Sequence, residues 1–368
     1  MAGCFRPPPP LVVLDYTQVM DPSLDLSSYI ELAYGAGALG VLAIRNVPGF
    51  VDAKMSVLTQ AHSLAHLPAD ELLRLEDEKS LYNAGWSHGK EKLGDKPDFA
   101  KGSFYFNPLT DTPGSAEDRA KFPVSYPCNV WPTSTLPNFE PCAKTLGKIM
   151  HDQVVALSVH IDKYAASKVP TYKPFQISDA MRVTEKAKGR LLYYFPLPPQ
   201  PDMGPPPPDS WIGWHNDSGY LTALAGDMYV DDRTGVQVPL PDPLAGLYVV
   251  DRSGDSVRVE IPSDCMAVQL GECVQVVTGG VLVATPHCVR GATPTEVPVA
   301  RVSHPCFIDC VPTTPITMPE GCTMEQVFGS GTDSKVPPLE KRWTHDGMLF
   351  GDFLQKTFSM YYEHTLKK

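Results

Sequence analysis

The feature that most limits what this chain can become is a change of texture at Arg190. Downstream of it, short apolar and β-branched runs follow one another: Leu191–Phe195, Leu221–Ala225, Gly246–Val250, Val257–Ile261, Ala267–Leu270, Val274–Thr278, Val281–Ala284 and Val299–Phe307, separated by Gly, Pro and Asp. Many short strands punctuated by turn residues imply a sandwich or barrel, and a double-sheet jelly roll is one such architecture. Upstream the pattern is mixed. Leu11–Tyr16 and Gly40–Arg45 read as strands, the latter stopped by Asn46-Val47-Pro48-Gly49. Leu24–Tyr34, Val51–Leu64 and Cys142–Ala166 carry apolar residues at helical spacing, and a short helix is expected after Pro68-Ala69-Asp70. Tyr82–Phe106, rich in glycine and aromatics, reads as ordered loop, and Gly347–Tyr362 as a closing amphipathic helix. The expected fold class is α+β with a mainly β core: a proline-rich tail over 1–10, a mixed α/β region over 11–170 and, over 171–368, a β-rich domain with a C-terminal helix, a jelly roll being one candidate.

Charge and punctuation narrow the function. At 368 residues and 43% hydrophobic, the chain can bury one large core or two intimate ones. A formal net charge of −11, with no Lys/Arg cluster, argues against a nucleic-acid partner. No apolar run approaches the roughly 20 residues of a membrane span. Met1–Pro10 lacks the apolar centre of a signal peptide. The cysteines number nine, an odd count with no paired spacing, which fits reduced thiols in a cytoplasmic protein. Proline is abundant at 38 residues. Pro7–Pro10 reads as a stiff exposed tail and Pro196–Pro208 as a loop, since neither can form helix or central strand.

Three residues carry the chemistry. His215 and Asp217 stand at i and i+2, so in an extended segment both point to one side and can reach one ion. His287 follows a β-rich run far downstream. Two histidines and one carboxylate are the facial ligand set of mononuclear non-haem Fe(II) enzymes. Alone, each of these residues reads as readily as a surface or satisfied side chain. Arg301 and Ser303 again lie i, i+2 on an expected strand. An inward-facing arginine needs an anion, and its planar fork suits a carboxylate. His304, Cys306 and Cys310 sit too close together on one strand for a zinc site, and no paired Cys-x-x-Cys accompanies them.

The order of these motifs resembles the isopenicillin N synthase-like branch of the Fe(II)/2-oxoglutarate-dependent dioxygenases. WHNDSGYLTAL is similar to that family's His-x-Asp strand, GECVQVVTGGVLVATPHCVR to the segment ending at the distal histidine, and ARVSHPCF to its Arg-x-Ser strand. PLVVLDY, GALGVLAIRNVPG, Gly85-Trp86, Lys101-Gly102-Ser103-Phe104, Asn129-Val130-Trp131-Pro132 and Gly351-Asp352-Phe353-Leu354 extend the likeness over most of the chain. The resemblance implies Fe(II) on His215, Asp217 and His287. It implies 2-oxoglutarate on Arg301 and Ser303, with Tyr193 a further cosubstrate contact, and O2 as oxidant. The implied reaction hydroxylates or desaturates a small organic metabolite and releases succinate and CO2. Trp86, His88, Phe104 and Phe106 stand where the family lines its substrate side, although plain core packing suits Phe104 and Phe106 better. Trp214 and Tyr220 flank the triad strand, and Arg290 follows His287 closely.

One position departs from the pattern. Where the family commonly carries a tyrosine before Pro196, this chain has Phe195, which cannot donate a hydrogen bond. Isopenicillin N synthase itself uses the Arg-x-Ser pair to grip its peptide substrate and takes no 2-oxoglutarate, so Arg301 and Ser303 imply a carboxylate without saying whose. Two other readings therefore stand beside the first: an iron oxidase of that type, and a catalytically silent binding protein on the same scaffold.

Overall fold

The computed structural model describes residues 10–90, 92–93, 96–197, 206–207, 209–251, 254–329 and 335–366. The expectations for Pro7–Pro9 and most of Pro196–Pro208 fall outside them. Two sheets form the core. The larger runs in the order Val12–Asp15, Val41–Arg45, Met266–Leu270, Leu221–Asp231, Val299–Ile308, Ala187–Tyr194, Lys101–Phe106, Gly85–His88, with Gln237–Val238 paired at one side. The smaller runs Ser256–Arg258, Gly246–Val250, His287–Arg290, Ile212–His215. Apart from the parallel pair at Val12–Asp15, the neighbours are antiparallel. This is the jelly-roll core that the sequence implies, widened by strands from the first part of the chain.

Strand alternation sorts the residues of the large sheet between two environments. Leu42, Ile44, Leu191, Tyr193, Val268, Ala300 and Val302 face the main apolar core, which also takes the buried side of helix Phe139–Lys168. Val41, Ala43 and Ala267 point the other way and join Val249 and Val259 near the small sheet. Leu192, Tyr194 and Tyr229 likewise join Trp211 and Val289. These two smaller clusters tie the sheets together and leave a space between them.

Several expected elements differ in extent or kind. Val51–Leu64 is two helices, Phe50–Leu58 and Ala61–Ala65, and the helices expected over Leu24–Tyr34 and Gly347–Tyr362 run Ser27–Tyr34 and Phe350–Leu366. Besides the short pair Lys92–Leu93 and Lys96–Pro97, Tyr82–Phe106 holds Gly85–His88 and Lys101–Phe106, two strands that complete the large sheet. Their glycines mislead because each has a steric reason. A Cβ on Gly85, at φ +67°, would stand 1.8 Å from the Leu75 carbonyl oxygen, and one on Gly102 would strike the Trp86 ring. Val274–Thr278 is not a strand but lies in helix Glu272–Val277 and its C-cap, every helical residue of which is buried. Periodicity cannot separate a short, wholly buried helix from a strand. Val281–Ala284 is irregular, with Val283 N–H bonded to the Tyr34 carbonyl instead of a sheet neighbour. Among the described residues, no helix is long and apolar enough to cross a membrane, and the eight described cysteines are free.

His304 is buried between the main core and the space between the sheets. It is 1% exposed, stacked on Phe106 at 5.4 Å between centroids, and neither ring nitrogen has a partner. Burial pushes its pKa down to about 4. The folded state therefore binds fewer protons than the unfolded chain between the ordinary histidine value near 6.5 and about 4. Stability from this group is complete above the upper value and is lost as pH falls through that window, by up to about 3 kcal/mol. We expect urea unfolding of His304→Leu to lose correspondingly less stability than the parent between pH 6.5 and 4; parallel losses would refute this.

Candidate metal centre and its cavity

His215 ends the strand Ile212–His215, and His287 opens the strand His287–Arg290; the two residues are direct partners across the small sheet. Their rings lie 4.1 Å apart between centroids. Each Nδ1–H is directed at a backbone carbonyl two residues earlier, His215 to Gly213 at 2.8 Å and His287 to Thr285 at 3.3 Å. That bond fixes the tautomer and leaves the Nε2 lone pair outward, the usual arrangement for a metal-bound imidazole. Asp217 follows directly, with Oδ1 3.7 Å from Nε2 of His287. One ligand atom from each of the three residues lies within 4.8 Å of the others, and among the described residues no other His/Cys/Asp/Glu group has such geometry.

The electrostatics fit a cation. Burial holds both imidazoles neutral, with pKa values pushed down to about 4, the neighbouring ring adding to the effect at His215. Burial also raises the Asp217 carboxyl, whose Oδ2 has no partner. Two neutral nitrogen donors beside an unsatisfied buried carboxylate is the donor set of a divalent ion of the Fe(II) or Zn(II) kind.

The loop that carries Asp217 is pinned from below. Its backbone carbonyl accepts from Glu272 N–H at 2.8 Å, and the Gly219 carbonyl accepts from Cys273 N–H at 3.1 Å. The chains approach so closely that a Cβ on Gly271 would stand 2.2 Å from the Gly219 oxygen. Asn216, between the two ligands, donates to Oε1 of Glu272 at 3.0 Å. Glu272 in turn is gripped at both oxygens by Arg342, and this pair is 1% and 0% exposed. On the far side, Asp309 accepts the Tyr220 N–H at 3.0 Å and pairs with buried Lys186 at 3.1 Å.

A cavity of about 460 Å³ lies between the sheets and takes in His215, Asp217, His287, Arg301 and Ser303. Alternation puts Arg301 and Ser303 on its wall, paired with Tyr229 and Asp227 of the next strand. The Tyr194 ring stands 5.0 Å from the Arg301 guanidinium carbon, within cation–π range. Besides the two His304 nitrogens, four buried polar atoms on residues around this cavity have no hydrogen-bond partner: Oδ2 of Asp217, Nη1 of Arg301, the Tyr229 hydroxyl and Nε2 of Gln269.

Other expected site residues lie elsewhere. The structure does not bring Tyr193 to the cavity. It faces the main core side, with its hydroxyl donating to Asp232 at 2.6 Å, and Tyr194 takes the cavity position by alternation. Phe195 is off the cavity too, packed against His88 and Tyr193. Trp86, Phe104 and Phe106 belong to the main core. His88 packs on Phe99, Tyr220 on Phe350, and Trp214 lies under Lys335. Arg290 does not line the cavity; His304 does, but it forms no metal group with Cys306 and Cys310. Asp227, Tyr229, Gln269 and Arg190, all cavity residues, carried no sequence motif. Gly226 concealed the first two: it reads as a stop after Ala225, yet at φ +82° it marks an irregularity through which the strand continues to Asp231.

Comparison with known proteins gives a fold and no closer relation. No family profile and no curated protein matches the chain. Solved structures do. A 2OG-Fe(II) oxygenase family protein from Caulobacter crescentus is 18% identical, with a TM-score of 0.64 over 95% of this chain and 99% of its own. A full-length Neurospora crassa protein, solved in complex with alpha-KG, is 18% identical, with a TM-score of 0.64 over 95% and 96%. The rice dioxygenase for auxin oxidation is 18% identical, with a TM-score of 0.58 over 97% and 99%. The chain has the fold of these oxygenases along nearly its whole length.

Removing one member of the buried pair beneath the site leaves a charge without compensation. Arg342→Met should cost about 3–5 kcal/mol in equilibrium urea unfolding, and exchanging both members for apolar residues should cost less. A single variant as stable as the parent would contradict this.

Proposed function

We propose that the chain is a non-haem Fe(II)- and 2-oxoglutarate-dependent oxygenase that hydroxylates or desaturates a small organic metabolite. The observation that carries the reading is that Oδ2 of Asp217 and Nη1 of Arg301, buried on residues lining one cavity, both lack a hydrogen-bond partner. A cation at Asp217 and a carboxylate at Arg301 would satisfy Oδ2 and Nη1 together, and buried polar atoms are costly to leave without a hydrogen bond.

His215 and His287 would hold the ion through Nε2, and Asp217 through its carboxylate. When bound, Fe(II) supplies the redox chemistry: 2-oxoglutarate, O2 and substrate give succinate, CO2 and oxidised substrate. The protein does the rest. The Gly213 and Thr285 carbonyls keep the imidazoles in the binding tautomer. Asn216 and Glu272 keep the intervening backbone in place. Arg301, stiffened by Tyr194, offers Nη1 to the distal carboxylate of the cosubstrate, with Ser303 beside it. The apolar wall of Leu192, Leu224, Ile212 and Val289 limits water around the reacting centre. Phe195 does not face the cavity, so the variant reading without 2-oxoglutarate loses the residue that favoured it.

Anaerobic titration with Fe(II) and 2-oxoglutarate, followed by the metal-to-ligand charge-transfer absorbance, tests this. The band should need both additions and vanish in His215→Ala. Arg301→Ala should weaken 2-oxoglutarate at least tenfold, the loss of a charge-assisted contact. Absence of the band, together with no succinate on admission of air, would sink the proposal.

A further inference from the structure

Arg301 already carries an anion of the protein's own. Its Nε donates to Oδ2 of Asp227 at 2.9 Å, while Nη1 stays buried without a partner. The two partners differ in their surroundings: the Arg301 side chain is 8% exposed and that of Asp227 36%. The arginine is therefore the fixed member, and the aspartate reaches it from the wetter part of the cavity. The backbone puts it there, since Asp227 pairs with Ser303 across the strands and follows the irregularity at Gly226. A second cation stands nearby. Lys54 is 4% exposed, donates to the Ser263 carbonyl at 2.5 Å, and is close enough for the charge of Asp227 to act on it.

A guanidinium that holds one carboxylate is a weaker site for another, because the second anion must approach the first. We propose that Asp227 is a built-in competitor for Arg301, whose negative charge keeps the affinity for a dicarboxylate ligand low. The inference rests on the reading of Arg301 as the seat of the distal carboxylate of 2-oxoglutarate. When that carboxylate arrives, Asp227 yields part of its hold on the guanidinium and turns toward water and Lys54. Cosubstrate affinity is then set by a residue that touches neither metal nor substrate.

The test is calorimetric titration of 2-oxoglutarate into Mn(II)-loaded protein without oxygen, for the parent and Asp227→Asn. Asparagine keeps the shape and an oxygen that can accept the Nε–H, and removes the charge. The dissociation constant should fall about tenfold in the variant, the effect of one like charge within several ångströms in a partly solvated site. Pyruvate, a 2-oxo acid with no distal carboxylate, should bind both proteins equally. An unchanged or raised constant for 2-oxoglutarate overturns the inference, and so does an equal gain for pyruvate, which would mark a general field rather than competition at Arg301. Binding of 2-oxoglutarate by neither protein overturns both this inference and the oxygenase reading. Binding by the parent with no gain in the variant overturns only this one.

Discussion

The central pairing of Val299–Ile308 between Ala187–Tyr194 and Leu221–Asp231 is the constraint on which the rest depends. A strand has only two faces, so a residue shift in this pairing would exchange Ala300 and Val302 for Arg301 and Ser303. That would bury a guanidinium in the main core and empty the cavity wall of its polar groups. The apolar side is clamped by helix Phe139–Lys168, whose buried face includes Leu146, Met150, Val154, Leu157 and Ile161. The large core thus fixes the register, and the register places the chemistry.

The candidate metal centre is held differently. Its two histidines come from the small sheet, whose strands are short, and Asp217 from the loop that follows, so precision there comes from polar bonds beneath the site. Asn216, Glu272 and Arg342 link the His-x-Asp segment to chain more than a hundred residues later, and Asp309 with Lys186 ties down its other end. Charges this deeply buried add little net stability compared with apolar packing, but they tolerate few alternative geometries. Rigidity of this kind suits a site where three ligand atoms must converge. On the large sheet, the contact with Arg301 is looser, for the Asp227 side chain is more than a third exposed.

Where sequence reading and structure part, the reasons are specific. Glycines at 85, 102 and 226 look like interruptions, but two serve close approaches and one an irregularity within a continuing strand. Glu272–Val277 looks like a strand because all its faces are buried, which erases the helical stripe. Tyr193 drew attention as a hydroxyl beside a missing one, yet its parity on the strand sends it to Asp232, and Tyr194 holds the cavity position.

The amino-acid order by itself pointed to a β-rich sandwich or barrel, to His-x-Asp and to the Arg-x-Ser pair, because alternation and short-range spacing are local properties; the jelly roll and the addition of His287 came from the order of motifs along the chain. Their convergence around one point was settled only when the two sheets closed, since His215 and His287 become neighbours through a strand pairing far apart in sequence. The same holds for Asp227, Tyr229 and Gln269, which bear no motif and acquire a role only from what stands opposite them. Local chemistry is written along the chain. Which groups are left without a partner, and so ask for a ligand, is a property of the packed cavity alone.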